Sequence, residues 1–423
     1  MAKGTLMHKT NSGSFDLEEI IERESIESHF QPIVSMKRKS IVGFEGLSRG
    51  IHPADQSLIS PVDLFGEAER QGLQMELDRL CRKQAMAQFK PILKLHPDFI
   101  LSLNLDASIM DQGAAGSGHL RNQAMEMGLN PRNIAIEIIE SNVEDMKELQ
   151  KFVETYRGYG FLIALDDVGA GHSNLNRIPL IKPDILKIDR FLIQDIQLDF
   201  YKQEVLKSLL SMARHLGTLI IAEGVETEEE IMMLLDMGVD MVQGFYFAKP
   251  RRNDQLQCSL VLEKVERLGV LFKQKLIKKI DGNRFHMNQY YSMILEMQIE
   301  LEKSVPVDFD GQLTKMIAAF PQAEGLYILG EDGIQETETV FNPLYQSVRN
   351  PVMFRPTSAG ADHTMKDYYY FLMETDLGKG SFVTKPYLSM ASGNVCVTLA
   401  ALFKDAGQRK HILCIDINTQ SLL

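Results

Sequence analysis

Between residues 28 and 250, short apolar runs alternate with longer stretches of helical spacing. The runs read HFQPIVSM, IVGFEGLS, FILSLNLD, IAIEIIES, FLIALDDV, ILKID, LIIAEGV and MVQGFYF, which predicts eight strands. Apolar residues at helical spacing predict helices over Pro61–Phe89, Val143–Tyr159, Ile196–Leu216 and Glu228–Met237. Eight strands alternating with helices predict an α/β fold, a TIM-like β/α barrel. An open doubly wound sheet is the alternative, and no G-x-G-x-x-G follows a strand to favour it.

Only KRKS separates the first two runs. A parallel crossover needs a dozen or more residues. These strands are therefore expected to form an antiparallel hairpin, with the first barrel strand reversed. The start of strand one then lies beside the end of strand two, placing Gln31 on the rim of Glu45.

Polar residues recur at the C-terminal ends of the other strands. Glu45 ends strand two, Asn104 strand three, Glu137 strand four, and Asp166 with Asp167 strand five. Lys187 and Asp189 end strand six, Glu223 strand seven and Gln243 strand eight. One such residue alone reads as a helix cap or a solvated charge. A whole set on one rim, where β/α barrels carry their active sites, points to chemistry. Converging carboxylates repel, and divalent cations relieve that repulsion. Oxygen ligands with one amide suit Mg²⁺ or Mn²⁺, and strand ends without His or Cys argue against zinc. Adjacent aspartates would let Asp166 serve one ion and Asp167 a second, as in two-metal phosphodiester cleavage. A barrel lyase of the enolase type also uses strand-end carboxylates and a lysine, and it stays open on these residues alone.

Composition narrows the partners. The net charge of −12 disfavours a nucleic-acid polymer. No apolar run approaches the ~18 residues of a membrane span. Residues 1–19 read as a polar tail without the apolar core of a signal peptide. Cys81, Cys258, Cys396 and Cys414 are scattered, as expected for reduced thiols in a cytoplasmic protein.

In order, the motifs FQPIV, GFEGLSR, LNLD, EIIES, DDVGAGHSNL, KPDILKID, AEGVET and QGFYFAKP resemble the EAL domain, the cyclic di-GMP phosphodiesterase module of bacterial signalling. By that resemblance Glu45, Asn104, Glu137 and Asp166 are expected to hold a first metal and Asp167 a second. Lys187 resembles the lysine that positions the attacking water, and Glu223 the glutamate that binds metal or acts as general base. Gln243 resembles the last polar group of the site, and Arg49 the arginine that grips a ligand phosphate. The backbone near Gln31 and Leu47 would line a guanine pocket, and Glu226 would support the strand-five loop. The implied reaction is in-line hydrolysis of one phosphodiester, opening cyclic di-GMP to linear pGpG. Gly46 replaces the alanine of the family triplet. Val168, Ala170 and His172 replace Phe, Thr and Tyr in the strand-five loop. The altered loop motivates two readings, a slow enzyme and a receptor that binds without cutting.

Residues 20–254 are thus assigned to the barrel and 255–305 to a helical connector, read as two helical stretches ending at Lys303 before Pro306. Residues 306–423 resemble a PAS/Cache-like sensor or regulatory domain, with a hairpin across KDAGQRK. Tyr368–Tyr369–Tyr370 and Lys385–Tyr387 are expected to be sheet packing, with a pocket for an unknown small ligand as the alternative. A homodimer is expected.

Overall fold

The computed structural model describes residues 15–105, 118–138, 146–170, 174–345, 352–374 and 380–419. His172 and the first fourteen residues of the expected tail lie outside them. The chain divides into two compact units, Met1–Lys275 and Leu276–Leu423.

The first unit is a closed eight-stranded barrel. Its strands are β1 (Ile26–Ser35), β2 (Ser40–Ile51), β3 (Ile100–Leu105), β4 (Ile134–Ile138), β5 (Leu162–Val168), β6 (Ile185–Ile188), β7 (Leu219–Ala222) and β8 (Met241–Val242). Strands β2 through β8 run parallel to one another. Strand β1 is antiparallel to both β2 and β8 and closes the ring. The short β1–β2 connection thus reverses β1, and Gln31 pairs directly with Glu45.

The helices differ from expectation where single residues interrupt them. The stretch 61–89 is two helices, because Gly72 takes a left-handed φ of 70° and ends Pro61–Gln71 before Gln74–Leu95 begins. Asp199 caps Phe200–Leu216 and separates it from a single turn, Ile196–Leu198. Thr227 and Glu230 form a reciprocal capping box at the start of Glu228–Met237. Ordered structure also begins before residue 20. Asp16 caps the helix Leu17–Glu22, whose Leu17 and Ile20 are fully buried, so the tail is shorter than its sequence implied.

Ile33, Ala135, Ala164, Ile185, Ile221 and Met241 pack together as one buried cluster in the barrel. Side chains of a strand repeat their direction every second residue. Two residues further toward the rim stand Gln31 on the reversed β1, Glu137, Asp166, Lys187, Glu223 and Gln243. The apolar cluster and the polar rim are successive layers of the same inward faces.

One 44-residue helix, Cys258–Leu301, replaces the two expected connector helices. Asp281 and Gly282 do not break it, although Gly costs about 1 kcal/mol in a helix interior. Packing outweighs that cost at both ends. Val261, Val265 and Leu268 enter the core of the first unit, while Tyr290, Met293, Ile294, Met297 and Leu301 enter that of the second.

The second unit is built on an antiparallel sheet. Its strands are β9 (Ala323–Leu329), β10 (Val340–Phe341), β11 (Ser381–Val383), β12 (Tyr387–Leu388), β13 (Val395–Lys404) and β14 (Lys410–Asn418). The order is β10-β9-β14-β13-β11, with β12 also on β13. The expected hairpin is β13–β14.

Candidate active site

Lys187 occupies the centre of the rim. It is 1 % exposed, and its Nζ lies 2.7 Å from Glu223 Oε1, 2.8 Å from Glu137 Oε1, 3.3 Å from Asp166 Oδ1 and 3.7 Å from Glu45 Oε1. Four strands therefore aim carboxylates at the lysine of a fifth. Asn104 Nδ2 donates to Glu45 Oε1 at 3.1 Å, and Gln243 Nε2 donates to Glu45 Oε2 at 2.5 Å. Gln243 also donates to Gln31 Oε1 at 3.1 Å, and Gln31 donates to the Ala248 carbonyl at 3.1 Å.

Asp166 and Asp167 are adjacent, so regular alternation would send them to opposite faces. Asp167 escapes this with a left-handed φ of 55° and donates its amide to Asp166 Oδ1 at 3.0 Å. The β5–β6 register breaks between Leu165 and Val168 at the same place. The backbone turn thereby brings oxygens of Asp166, Asp167 and Glu223 within 4.8 Å of one another.

The electrostatics follow from burying many acids around one base. Burial pushes Glu137 well above the ordinary carboxylate range; Lys187 opposes this, while Glu45, Asp166 and Glu223 add to it. Glu223 is pushed up to about 8, chiefly by burial. Burial works against the Lys187 charge, but the surrounding carboxylates outweigh it and raise its pKa. Burial likewise works against the Glu45 charge, yet Lys187 and the amides of Gln243 and Asn104 hold Glu45 below its usual value. Burial and Asp166 raise Asp167.

The donor set fits a hard divalent cation. Glu137 Oε2 is buried without a hydrogen-bond partner among the described residues. Four carboxylates face a single ammonium, Asp167 stands beside two of them, and the ligand atoms on offer are oxygens.

Arg49 is half-buried on β2 beyond Glu45 and donates to the Ser48 carbonyl at 2.8 Å. Leu47 lines a cavity of about 340 Å³ with Gly46, Pro61, Phe65, Leu103 and Asn104. Glu226 pairs with Arg190 at 2.9 Å and does not join the central cluster. Asp189 caps the short helix after β6, its carboxylate accepting from the Phe191 amide at 2.8 Å.

Four residues escaped sequence reasoning. Ser102 donates to Glu137 Oε1, and its position two residues before Asn104 on β3 placed it on the same inward face. Glu230 is buried and accepts from the amides of Glu226, Thr227 and Asp195, pinning the loop after β7. Its signal was the capping-box pattern. Asp78 and Arg82, a buried ion pair at i, i+4, line the Leu47 cavity.

Residues 15–250 match the model of the EAL domain. The chain belongs to the EAL-domain family. It is 32 % identical over 244 residues to the probable cyclic di-GMP phosphodiesterase PdeB of Escherichia coli K12, covering 58 % of this chain and 46 % of PdeB. It is 30 % identical over 248 residues to the bifunctional diguanylate cyclase/cyclic di-GMP phosphodiesterase MucR of Pseudomonas aeruginosa, covering 58 % of this chain and 36 % of MucR. The chain thus spans less than half the length of both. The solved PaMucR phosphodiesterase, a c-di-GMP complex, superposes with a TM-score of 0.52 at 29 % identity over 57 % of this chain and 98 % of that one. YkuI of Bacillus subtilis, an uncharacterized EAL-domain protein, aligns across both units. It is 24 % identical over 383 residues, 89 % of this chain and 91 % of YkuI. Its structure with c-di-GMP and calcium has a TM-score of 0.78, covering 96 % and 99 % of the two chains, and establishes the shared fold.

Among the described residues no helix is long and apolar enough to cross a membrane.

Proposed function

We propose that the chain is a metal-dependent cyclic di-GMP phosphodiesterase that opens its substrate to linear pGpG. The observation that carries this reading is the fully enclosed Lys187 amid Glu45, Glu137, Asp166 and Glu223, with Asp167 alongside.

Glu45, Asn104, Glu137 and Asp166 would hold one Mg²⁺ or Mn²⁺, and Asp167 with Glu223 would hold a second. Such ions would supply Lewis-acid polarisation of the phosphodiester and of the attacking water. Arg49 binds a phosphate from the same rim, its guanidinium offering paired donors. The apolar cavity beside Leu47 takes a guanine face. Lys187 orients the water through its ammonium. Glu223 stands 2.7 Å from that ammonium and would accept the proton of the water where it does not hold the second ion. Gln243 and Gln31 hold Glu45 in place.

The second unit regulates the barrel and performs no chemistry of its own. Four cysteines free of disulfides support a cytoplasmic location. Exposed Leu276, Ile277, Ile280, Leu295 and Ile299 on the long helix support a homodimer.

The test is incubation of the full chain with cyclic di-GMP and Mg²⁺, Mn²⁺ or EDTA, with products separated by chromatography. The reading expects pGpG with either metal and none in EDTA. Tight binding with no pGpG under any metal would make the chain a receptor, the reading that Val168 and Ala170 in the strand-five loop favour. Absence of both binding and cleavage would overturn the substrate.

A further inference from the structure

The second unit contains a cavity of about 630 Å³ that the barrel chemistry does not use. Tyr327, Tyr368, Phe382 and Tyr387 form much of its wall. The hydrogen-bonding groups of that wall are largely committed. Tyr327 and Tyr368 share a bond at 3.1 Å, Tyr368 meets His363 Nδ1 at 3.3 Å, and His363 Nε2 meets Gln335 Oε1 at 3.0 Å.

Asp416 is different. It lines the cavity from the central strand β14 and is 6 % exposed. Thr398 and Tyr387 both donate to its Oδ1, at 2.7 and 3.1 Å. Its Oδ2 accepts no hydrogen bond from any described residue, and no lysine, arginine or histidine among them pairs with it. A mostly buried carboxylate with one oxygen unpaired costs stability unless something else completes it. Burial raises its pKa, and Lys366 in the same cavity works in the opposite direction without bonding it. The open carboxylate oxygen takes a hydrogen-bond donor, and an ammonium is the donor that also answers its charge. The exposed end of the cavity has the opposite sign, with Arg355, Lys366 and Lys385 against Asp367.

We infer that this cavity is a binding site for a small zwitterion, whose ammonium meets Asp416 Oδ2 and whose acid group faces Arg355 and Lys385. The aromatic wall covers the short carbon frame between them. The volume lies within the ~300–1,000 Å³ usual for small-ligand sites. The inference extends the regulatory reading of the second unit, but its test reads binding and not control of the barrel, so each can fail without the other.

The experiment is thermal denaturation and calorimetry of the full chain with the twenty L-amino acids, taurine and O-phosphoethanolamine. Propylamine and propionate serve as one-ended controls. At least one zwitterion is expected to raise the melting midpoint by about 5 °C at ~100 times its Kd, with both controls far weaker. Asp416→Asn keeps an acceptor for Thr398 and Tyr387 but removes the charge, and should weaken that ligand roughly 10- to 100-fold. Arg355→Ala and Lys385→Ala, exposed and outside the core, should each weaken it as well, and they decide the matter if Asp416→Asn misfolds. The inference is overturned if no zwitterion binds, if propionate binds as well as the zwitterion does, or if affinity survives these substitutions.

Discussion

Lys187 Nζ lies 2.8 Å from Glu137 Oε1, and neither side chain reaches solvent. The ammonium is tolerated inside the barrel because Glu45, Glu137, Asp166 and Glu223 surround it. Removing the one cation and leaving buried carboxylates unpaired typically costs about 3–5 kcal/mol. Lys187→Met should therefore destabilise the first unit by that order in EDTA. Saturating Mg²⁺ should recover part of the loss, because a bound cation supplies the missing positive charge. Urea denaturation of both proteins with and without metal measures this. Equal midpoints in EDTA would mean that the lysine does not hold the acidic cluster together.

Glu137→Gln should act in the opposite direction. Glu137 is crowded by Glu45, Asp166 and Glu223 and pushed toward its neutral form. A neutral amide relieves that crowding, so the metal-free variant should melt no lower than wild type, while Mn²⁺ affinity falls by at least ~10-fold. Calorimetric Mn²⁺ titration with a melting curve in EDTA separates the two effects. Unchanged Mn²⁺ affinity would remove Glu137 from the ligand set.

Arg49→Ala should weaken cyclic di-GMP binding by roughly 10- to 100-fold, the worth of a charge-assisted contact of about 1.5–3 kcal/mol. Among the described residues its half-buried guanidinium bonds the neighbouring Ser48 carbonyl alone, so the fold should be little affected. Calorimetry in Ca²⁺ reads affinity without relying on turnover, and equal affinity of wild type and variant would end the role.

The rim was legible because strand alternation is a rule of local geometry. Once the eight strands are placed, period two alone lines up Glu137, Asp166, Lys187, Glu223 and Gln243, and the short KRKS connection dictates the reversal that adds Gln31. What alternation could not give was Asp167, which reaches the rim only through a left-handed backbone. Helix ends were less legible, since Gly72 ends a helix while Gly282 sits within one. That difference is decided by tertiary packing on either side, which no single residue announces. Asp416 gave no signal either: in HILCIDIN it reads as an ordinary polar position of a half-exposed strand.

Asp416 also predicts a pH dependence. Its folded carboxyl titrates near 6 because of burial, with Glu324 raising it further and Thr398, Tyr387 and Lys366 opposing. The ordinary value is about 3.9. A raised folded pKa means that its contribution to stability is full below pH ~4 and is lost as pH rises through ~6. Asp416→Asn should thus stabilise the second unit at pH 7.5, by roughly 3 kcal/mol at most, and have little effect at pH 4. Denaturation midpoints at the two pH values test the sign, and a variant less stable than wild type at pH 7.5 contradicts it.

The strand-five loop gives the last prediction. Val168 is buried at 2 % exposure, so the aliphatic side chain anchors the loop in the core in place of the aromatic one expected there. Gly169 follows with φ of 103°, and a Cβ on it would lie 2.4 Å from Leu192 Cδ1. Alanine at 169 thus faces both a disfavoured backbone region and a clash with a packed leucine. Relief of the clash would shift the chain just after Asp167, whose carboxylate depends on its own left-handed turn. A displacement of ~1 Å at a catalytic group can cost about 10²-fold in rate. Gly169→Ala should therefore lower kcat by that order, lower stability by about 1–3 kcal/mol, and change cyclic di-GMP affinity in Ca²⁺ by less than about 3-fold. Adding Leu192→Ala removes the steric part, so the double variant should recover part of the lost turnover. If Gly169→Ala cuts at the wild-type rate, or if substrate affinity falls as far as kcat, Asp167 is not placed for catalysis by this turn.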